Sequence, residues 1–187
     1  MNASLKRQAS HSDVSVETKK FKYEQLPKSH VIEYKGKREY MEDRHVCIDN
    51  FCQHLAFIAG LESASFYCVC DGHSGSQAAQ YTVDVIHLRI LENLRKLESK
   101  ERDCIEMSVV EKSLKKVFVD SYKQVDAEFL RKCNNNKPPW KDGTTVSNIL
   151  LLNRYLYAAN VGDSRAVLFR YKTGESGSDG CLSSIDI

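Results

Sequence analysis

Two helical patterns sit back to back in the middle of this chain, with β-type runs on both sides of them. That order removes most α/β folds from consideration. Residues 77 to about 97 carry apolar side chains at helical spacing (Ala78, Tyr81, Val85, Leu88, Leu91, Leu94), and a second helical pattern covers about 108–131. Short runs of strand character precede them at 29–34, 45–48 and 65–70, and others follow at 144–152, 155–161 and 165–171. A wound parallel sheet needs strand and helix to alternate. Strands, then helices, then strands predict an α+β domain, with antiparallel sheet and helices layered on it. Asn153-Arg154 joins two of the runs as a tight hairpin, and Gly162-Asp163-Ser164 turns the chain into the next.

The ends read differently. Residues 1–26 are Ser, Lys, Gln and Asp with little apolar periodicity, which predicts a disordered polar leader, and 173–187 read as a flexible tail whose large aliphatics are Leu182, Ile185 and Ile187. The leader holds a basic-Ser stretch at 6–10 and a Lys-rich stretch at 19–22, each either a recognition signal or plain solvated tail. The 187 residues, 42% hydrophobic and 28% charged, suffice for one domain with a core, placed at 27–172. A net charge of +2 gives no field that would recruit nucleic acid or an anionic membrane. No apolar run reaches the length of a membrane span or a signal peptide. The expectation is a monomeric protein of the cytoplasm, the nucleus or both, with its seven cysteines reduced.

Acidic residues cluster at or near the ends of the predicted strands: Glu42-Asp43, Asp71 and Asp163. Carboxylates, a backbone carbonyl and water are the ligands that hard divalent cations such as Mg²⁺ or Mn²⁺ prefer. Asp71 can bridge two ions if both its oxygens bind, and Gly72 leaves its own carbonyl open to approach. Two such ions about 3.5–4 Å apart can hold a hydroxide and clamp the oxygens of an in-line displacement at phosphorus. Arg38, four residues before Glu42, offers a planar permanent charge for phosphoryl oxygens. His73, beside Asp71, offers a proton for a leaving alkoxide. Taken singly, each motif has a bland reading: a Glu-Asp surface pair, an Asp-Gly-His turn, a Gly-Asp-Ser turn. Gly72-His73-Ser74-Gly75-Ser76 lacks the last Gly of a serine-hydrolase elbow, and no P-loop occurs.

In combination the motifs resemble the PP2C (PPM) family of metal-dependent serine/threonine protein phosphatases. The resemblance is carried by Arg38-Glu39-Tyr40-Met41-Glu42-Asp43 with His45, by Phe66 through Gly75, by Asp142-Gly143-Thr144-Thr145 and by Asn160-Val161-Gly162-Asp163-Ser164-Arg165. Lys137-Pro138-Pro139-Trp140-Lys141-Asp142-Gly143 is further similar to the integrin-linked-kinase-associated branch of that family. The resemblance implies an antiparallel β-sandwich flanked by helices. It implies two Mg²⁺ or Mn²⁺ ions, with Glu42 and Asp71 as carboxylate ligands, Gly72 as a carbonyl ligand and Asp43 holding metal-bound water. Arg38 would bind the substrate phosphate, His73 would be the general acid, and Asp163 would contribute to a third metal. Substrates would be phosphoproteins, and partners would include kinase-signalling proteins.

Ser74 stands where the family usually has Gly or Ala, and the strand-end Asp-Gly and Asp-Asn of the family's later half do not appear after Asp163. Asp179-Gly180 follows no strand and is not a substitute. Two divalent ions carry four positive charges, which Glu42, Asp71 and Asp43 cannot balance. The sequence therefore reads as the N-terminal part of the domain, incomplete at its C-terminus. An inactive fragment acting only as an interaction module is the alternative to a working phosphatase.

Overall fold

A computed structural model of the protein describes residues 14–20, 27–98, 104–172 and 181–186. In chain order its strands are β1 (Ser15–Lys20), β2 (Arg44–Ile48), β3 (Ile58–Ala59), β4 (Ala64–Cys70), β5 (Gly72–His73), β6 (Ile105–Glu106), β7 (Gly143–Thr144), β8 (Val146–Leu152), β9 (Tyr155–Val161), β10 (Val167–Lys172) and β11 (Cys181–Asp186). The helices are α1 (Gln77–Arg95) and α2 (Met107–Asn135). One five-stranded sheet, ordered β1-β9-β8-β4-β2, is antiparallel at every step, so the architecture is α+β. The other ladders among the described residues are two-stranded: β10-β11, β3-β6 and β5-β7.

Period-two alternation decides which face of the sheet is covered. In β4 the side chains of Ala64, Phe66, Cys68 and Cys70 are buried in the main core, while Val69, on the opposite face, is exposed. Their register partners in β8 and β9 continue that face with Leu150, Leu152, Tyr157 and Ala159. Onto it α1 presents Val83, Ile86, Ile90 and Leu94 in steps of three and four residues, and α2 presents Val110, Leu114 and the adjacent pair Val117 and Phe118 one turn further on. Each such side chain, fully buried, contributes about 1.5–3 kcal/mol of transfer free energy.

Polar bonds fix the helices to each other and to the sheet. Arg89 pairs with Glu128 at 2.9 Å, and Asn93 Nδ2 donates to Ser121 Oγ at 2.9 Å and Gln124 Oε1 at 2.8 Å. The buried Tyr122 hydroxyl lies between two acceptors of the sheet, the Asn148 side-chain carbonyl and the Ala159 backbone oxygen. Burial pushes the Tyr122 phenol well above its ordinary pKa. Cys47, Cys52, Cys68, Cys70, Cys104 and Cys133 are free thiols, and the Sγ atoms of Cys68 and Cys70 are 3.8 Å apart. No helix among the described residues is long and apolar enough to cross a membrane.

Three expectations are corrected. Residues 29–34 are not a strand: they run without a ladder partner, and Ile32 is 95% exposed. Ser15–Lys20, expected in a disordered leader, is the edge strand β1. It pairs residue for residue with Tyr155–Asn160, and Val16 packs against the main core. Its stabilisation comes from a strand whose paired residues lie far along the chain (Ser15 with Asn160, Lys20 with Tyr155), a partner that local composition cannot reveal. Cys181–Asp186, expected in a flexible tail, forms β11 against β10. The basic-Ser stretch at 6–10 and Phe21-Lys22 lie outside the described residues.

Candidate active site

The site is built where β4 ends. Asp71 follows the last residue of β4, and its backbone is gripped from both sides by the segment leading into β8. Its N–H donates to Thr145 Oγ1 at 3.2 Å, and its carbonyl accepts from Thr145 N at 2.9 Å and Thr144 Oγ1 at 3.1 Å. With all its backbone valences used, Asp71 can only vary its side chain. The β5-β7 ladder then pairs Gly72 with Thr144 and His73 with Gly143.

Glu42 approaches the same loop from the other side. A Cβ at Gly72 would lie 2.3 Å from the Glu42 carbonyl oxygen, so this contact admits glycine alone. Further on, Ser74 (φ 61°) and Gly75 (φ 129°) adopt positive φ and turn the Gly75 N–H onto Glu42 Oε1 at 2.6 Å. Arg44 straps the 41–43 turn to α1: its Nη1 donates to the carbonyls of Met41 (3.0 Å) and Asp43 (2.6 Å), and its Nε to Gln80 Oε1 (2.9 Å).

Arg38, Glu42, Asp43, Asp71 and Gly72 line one cavity of about 180 Å³, together with Tyr34, Lys35, Tyr40 and Met41. The Asp43 and Asp71 carboxyls are neighbours in this cavity. Partial desolvation, then the nearby Asp71 carboxylate, raise the Asp43 pKa, and the Arg38 charge offsets this only in part.

Two of the expected site residues stand outside that cavity. His73 is exposed beside it, its ring so close to Gly143 that a Cβ there would fall 2.3 Å from Nε2. Asp163 is exposed at the end of β9. It belongs to the same end of the sheet, because Ser164 Oγ and Thr145 Oγ1 are 2.5 Å apart. Lys35 was not singled out from the sequence, though it is a second cation three residues before Arg38; its Nζ donates to the Glu39 carbonyl at 3.1 Å.

The donors gathered here are carboxylate and backbone oxygens, which fits Mg²⁺ or Mn²⁺ in kind. The contact between two carboxylates, compensated only in part by Arg38, is the local charge excess a divalent cation would neutralise. No three His, Cys, Asp or Glu side chains among the described residues are already drawn together as a metal cluster.

The family model described as Protein phosphatase 2C matches residues 28–179. The chain belongs to the protein phosphatase 2C family. Among its relatives it is 37% identical over 145 residues to the integrin-linked kinase-associated serine/threonine phosphatase 2C of Mus musculus, covering 77% of this chain and 35% of the relative. The Homo sapiens protein of that description gives the same identity and coverage, and "Probable protein phosphatase 2C 27" of Oryza sativa subsp. japonica is 35% identical over 139 residues, 74% of this chain and 35% of the relative. The branch expected from residues 137–143 is thus the one that the Mus musculus and Homo sapiens relatives represent. The chain spans about a third of the length of the curated relatives it matches. A solved serine-threonine phosphatase 2C from Toxoplasma gondii superposes with a TM-score of 0.54 at 18% identity, covering 93% of this chain and 48% of that one, a likeness of fold.

Proposed function

We propose that the protein hydrolyses phosphoserine and phosphothreonine in other proteins, using divalent metal ions held at the end of β4. The observation that carries this reading is the single cavity in which Arg38 faces Glu42, Asp43, Asp71 and Gly72. The carboxylates of Glu42 and Asp71 and the carbonyl of Gly72 would hold Mg²⁺ or Mn²⁺, two ions in the complete site, with Asp43 ordering water beside them. When bound, such ions supply positive charge to phosphoryl oxygens and an activated water.

The chain's own residues do the rest. Arg38 binds two phosphoryl oxygens through its planar guanidinium, and Lys35 adds positive charge at the same wall. Asp43, lining the same cavity as Asp71, would accept a hydrogen bond from the water beside the ions. His73, exposed at the rim, gives a proton to the leaving Ser or Thr Oγ. Asp163 would serve a further metal. Relatives named for association with integrin-linked kinase support a partner in kinase signalling.

The test is phosphate release from a phosphothreonine peptide by the purified protein across a Mn²⁺ titration. Turnover that needs Mn²⁺, and that falls at least about a hundredfold in Asp71→Asn, supports the reading. Absence of turnover at every Mn²⁺ concentration, or an active Asp71→Asn, rejects it.

A further inference from the structure

The N-terminus of α1 is capped from far away. Ser76 occupies the N-cap position but its side chain makes no capping bond, and the first turn holds no acidic residue. The acceptor comes instead from Asp142, whose Oδ2 accepts the Gln77 N–H at 2.7 Å across 65 positions of sequence. The same carboxylate fills the space beside Gly75: a Cβ there would lie 2.3 Å from Oδ2 and 2.8 Å from Oδ1.

Gly75 is also the residue whose N–H holds Glu42 Oε1 at 2.6 Å. Asp142 is itself fixed on both flanks. Trp140, two residues before, stacks on Phe129 of α2 at 6.1 Å between ring centroids, and Gly143, one residue after, pairs with His73 in the β5-β7 ladder.

From this chain of contacts we infer that Asp142 is a positioning residue of the site: it clasps the Ser74–Gly75 turn to α1 and thereby aims the Gly75 N–H that orients Glu42. The inference rests on the metal-holding reading only for its consequence, because the clasp itself is a matter of hydrogen bonds. A carboxylate that caps a helix at Gln77 and stops there would steady α1 alone. One that also packs against Gly75 sets which way Glu42 turns its other oxygen. Conserving the acceptor should therefore conserve the effect: Asn can accept at the same atom, and Ala cannot.

Amide hydrogen exchange on the full chain separates these possibilities, with urea unfolding of each variant to establish that it is folded. Asp142→Ala is expected to speed exchange about five- to tenfold at Gln77 and at Gly75 alike, the size of a lost cap, with Asp142→Asn close to wild type at both. In parallel, Mn²⁺ affinity of Asp142→Ala is expected to fall about tenfold, as when a supporting hydrogen bond behind a metal ligand is removed, and Asp142→Asn to retain it. Faster exchange at Gln77 with Gly75 unchanged would overturn the inference and leave Asp142 a helix cap. So would an Asp142→Asn variant that exchanges like Asp142→Ala, or an Asp142→Ala variant with wild-type Mn²⁺ affinity. A wild type that takes up no Mn²⁺ counts against the metal reading, while exchange at Gly75 still decides the clasp.

Discussion

Asp43 and Asp71 line one cavity at the end of β4, and the Asp43 pKa is raised by partial desolvation and by the Asp71 charge. A carboxyl whose pKa is higher in the folded than in the unfolded protein favours folding less as it ionises. The penalty is absent below the ordinary Asp pKa, grows as pH climbs through the raised value, and is constant above it. Asp43→Asn, measured by urea unfolding in chelator at neutral pH, is therefore expected to be at least as stable as wild type. The gain is no more than about 0.5 kcal/mol, since Asp43 is exposed and water screens the repulsion. The difference should vanish on acidification below the ordinary carboxylate range. A less stable Asp43→Asn in chelator would show that the pair is not in conflict.

Gly72→Ala tests the closeness of the two arms of the site. The added Cβ would meet the Glu42 carbonyl oxygen at 2.3 Å and the Ala79 Cβ at 3.3 Å, with backbone on one side and the buried start of α1 on the other. Neither neighbour can swing aside as a flexible side chain would. The expected loss is about 1–3 kcal/mol in urea unfolding, together with weaker Mn²⁺ binding. A variant with unchanged midpoint and Mn²⁺ affinity would contradict the packing.

Tyr122 and Asn148 form the polar link between α2 and the sheet, and the Nδ2 of Asn148 is buried without a partner. Tyr122→Phe removes the hydroxyl and leaves the Asn148 amide buried with less satisfaction still, at an expected cost of about 1–3 kcal/mol. Replacing both, as Tyr122→Phe with Asn148→Leu, is expected to cost less than the sum of the single changes. Strictly additive losses in a double-mutant cycle would dissolve the link.

Strand β1 makes its own prediction. Val16→Asp places a charge against the main core and is expected to cost about 1–3 kcal/mol, whereas Glu17→Lys, on an exposed position of the same strand, should stay within about 0.5 kcal/mol. Equal, negligible effects would mean that β1 adds nothing to the sheet.

Local pattern made much of this molecule legible. The run at 155–161 coincides with β9, and the Asp-Gly-His stop after Cys70 is where β4 ends. Both helices were visible through apolar spacing, although α2 runs on to Asn135, because Cys133, past the point where the pattern faded, packs in one cluster with Phe129, Ala78 and Trp140. What stayed hidden was nonlocal. The strand character of Ser15–Lys20 depends on β9, and the absence of a strand at 29–34 depends on having no neighbour to ladder with.

The same division holds for the site. Arg38, Glu42, Asp43, Asp71 and Gly72 were named from residue type and position, and they share one cavity. Asp142 stood in a recognised motif without a role, because its partners Gly75 and Gln77 lie more than sixty positions upstream and only the fold brings them near. Ser74, the departure from the family pattern, is tolerated in the structure at positive φ, next to the glycine that carries the contact with Glu42.

The central claim is that Asp71 holds a divalent metal ion at the end of β4, and the electron paramagnetic resonance of Mn²⁺ tests it directly. Titrating the protein into Mn²⁺ should quench the signal of the free ion with saturation, and Asp71→Asn, shown to be folded, should leave most of that signal intact. A wild type that leaves the free-ion signal unchanged, or an Asp71→Asn that quenches it equally, would contradict the claim.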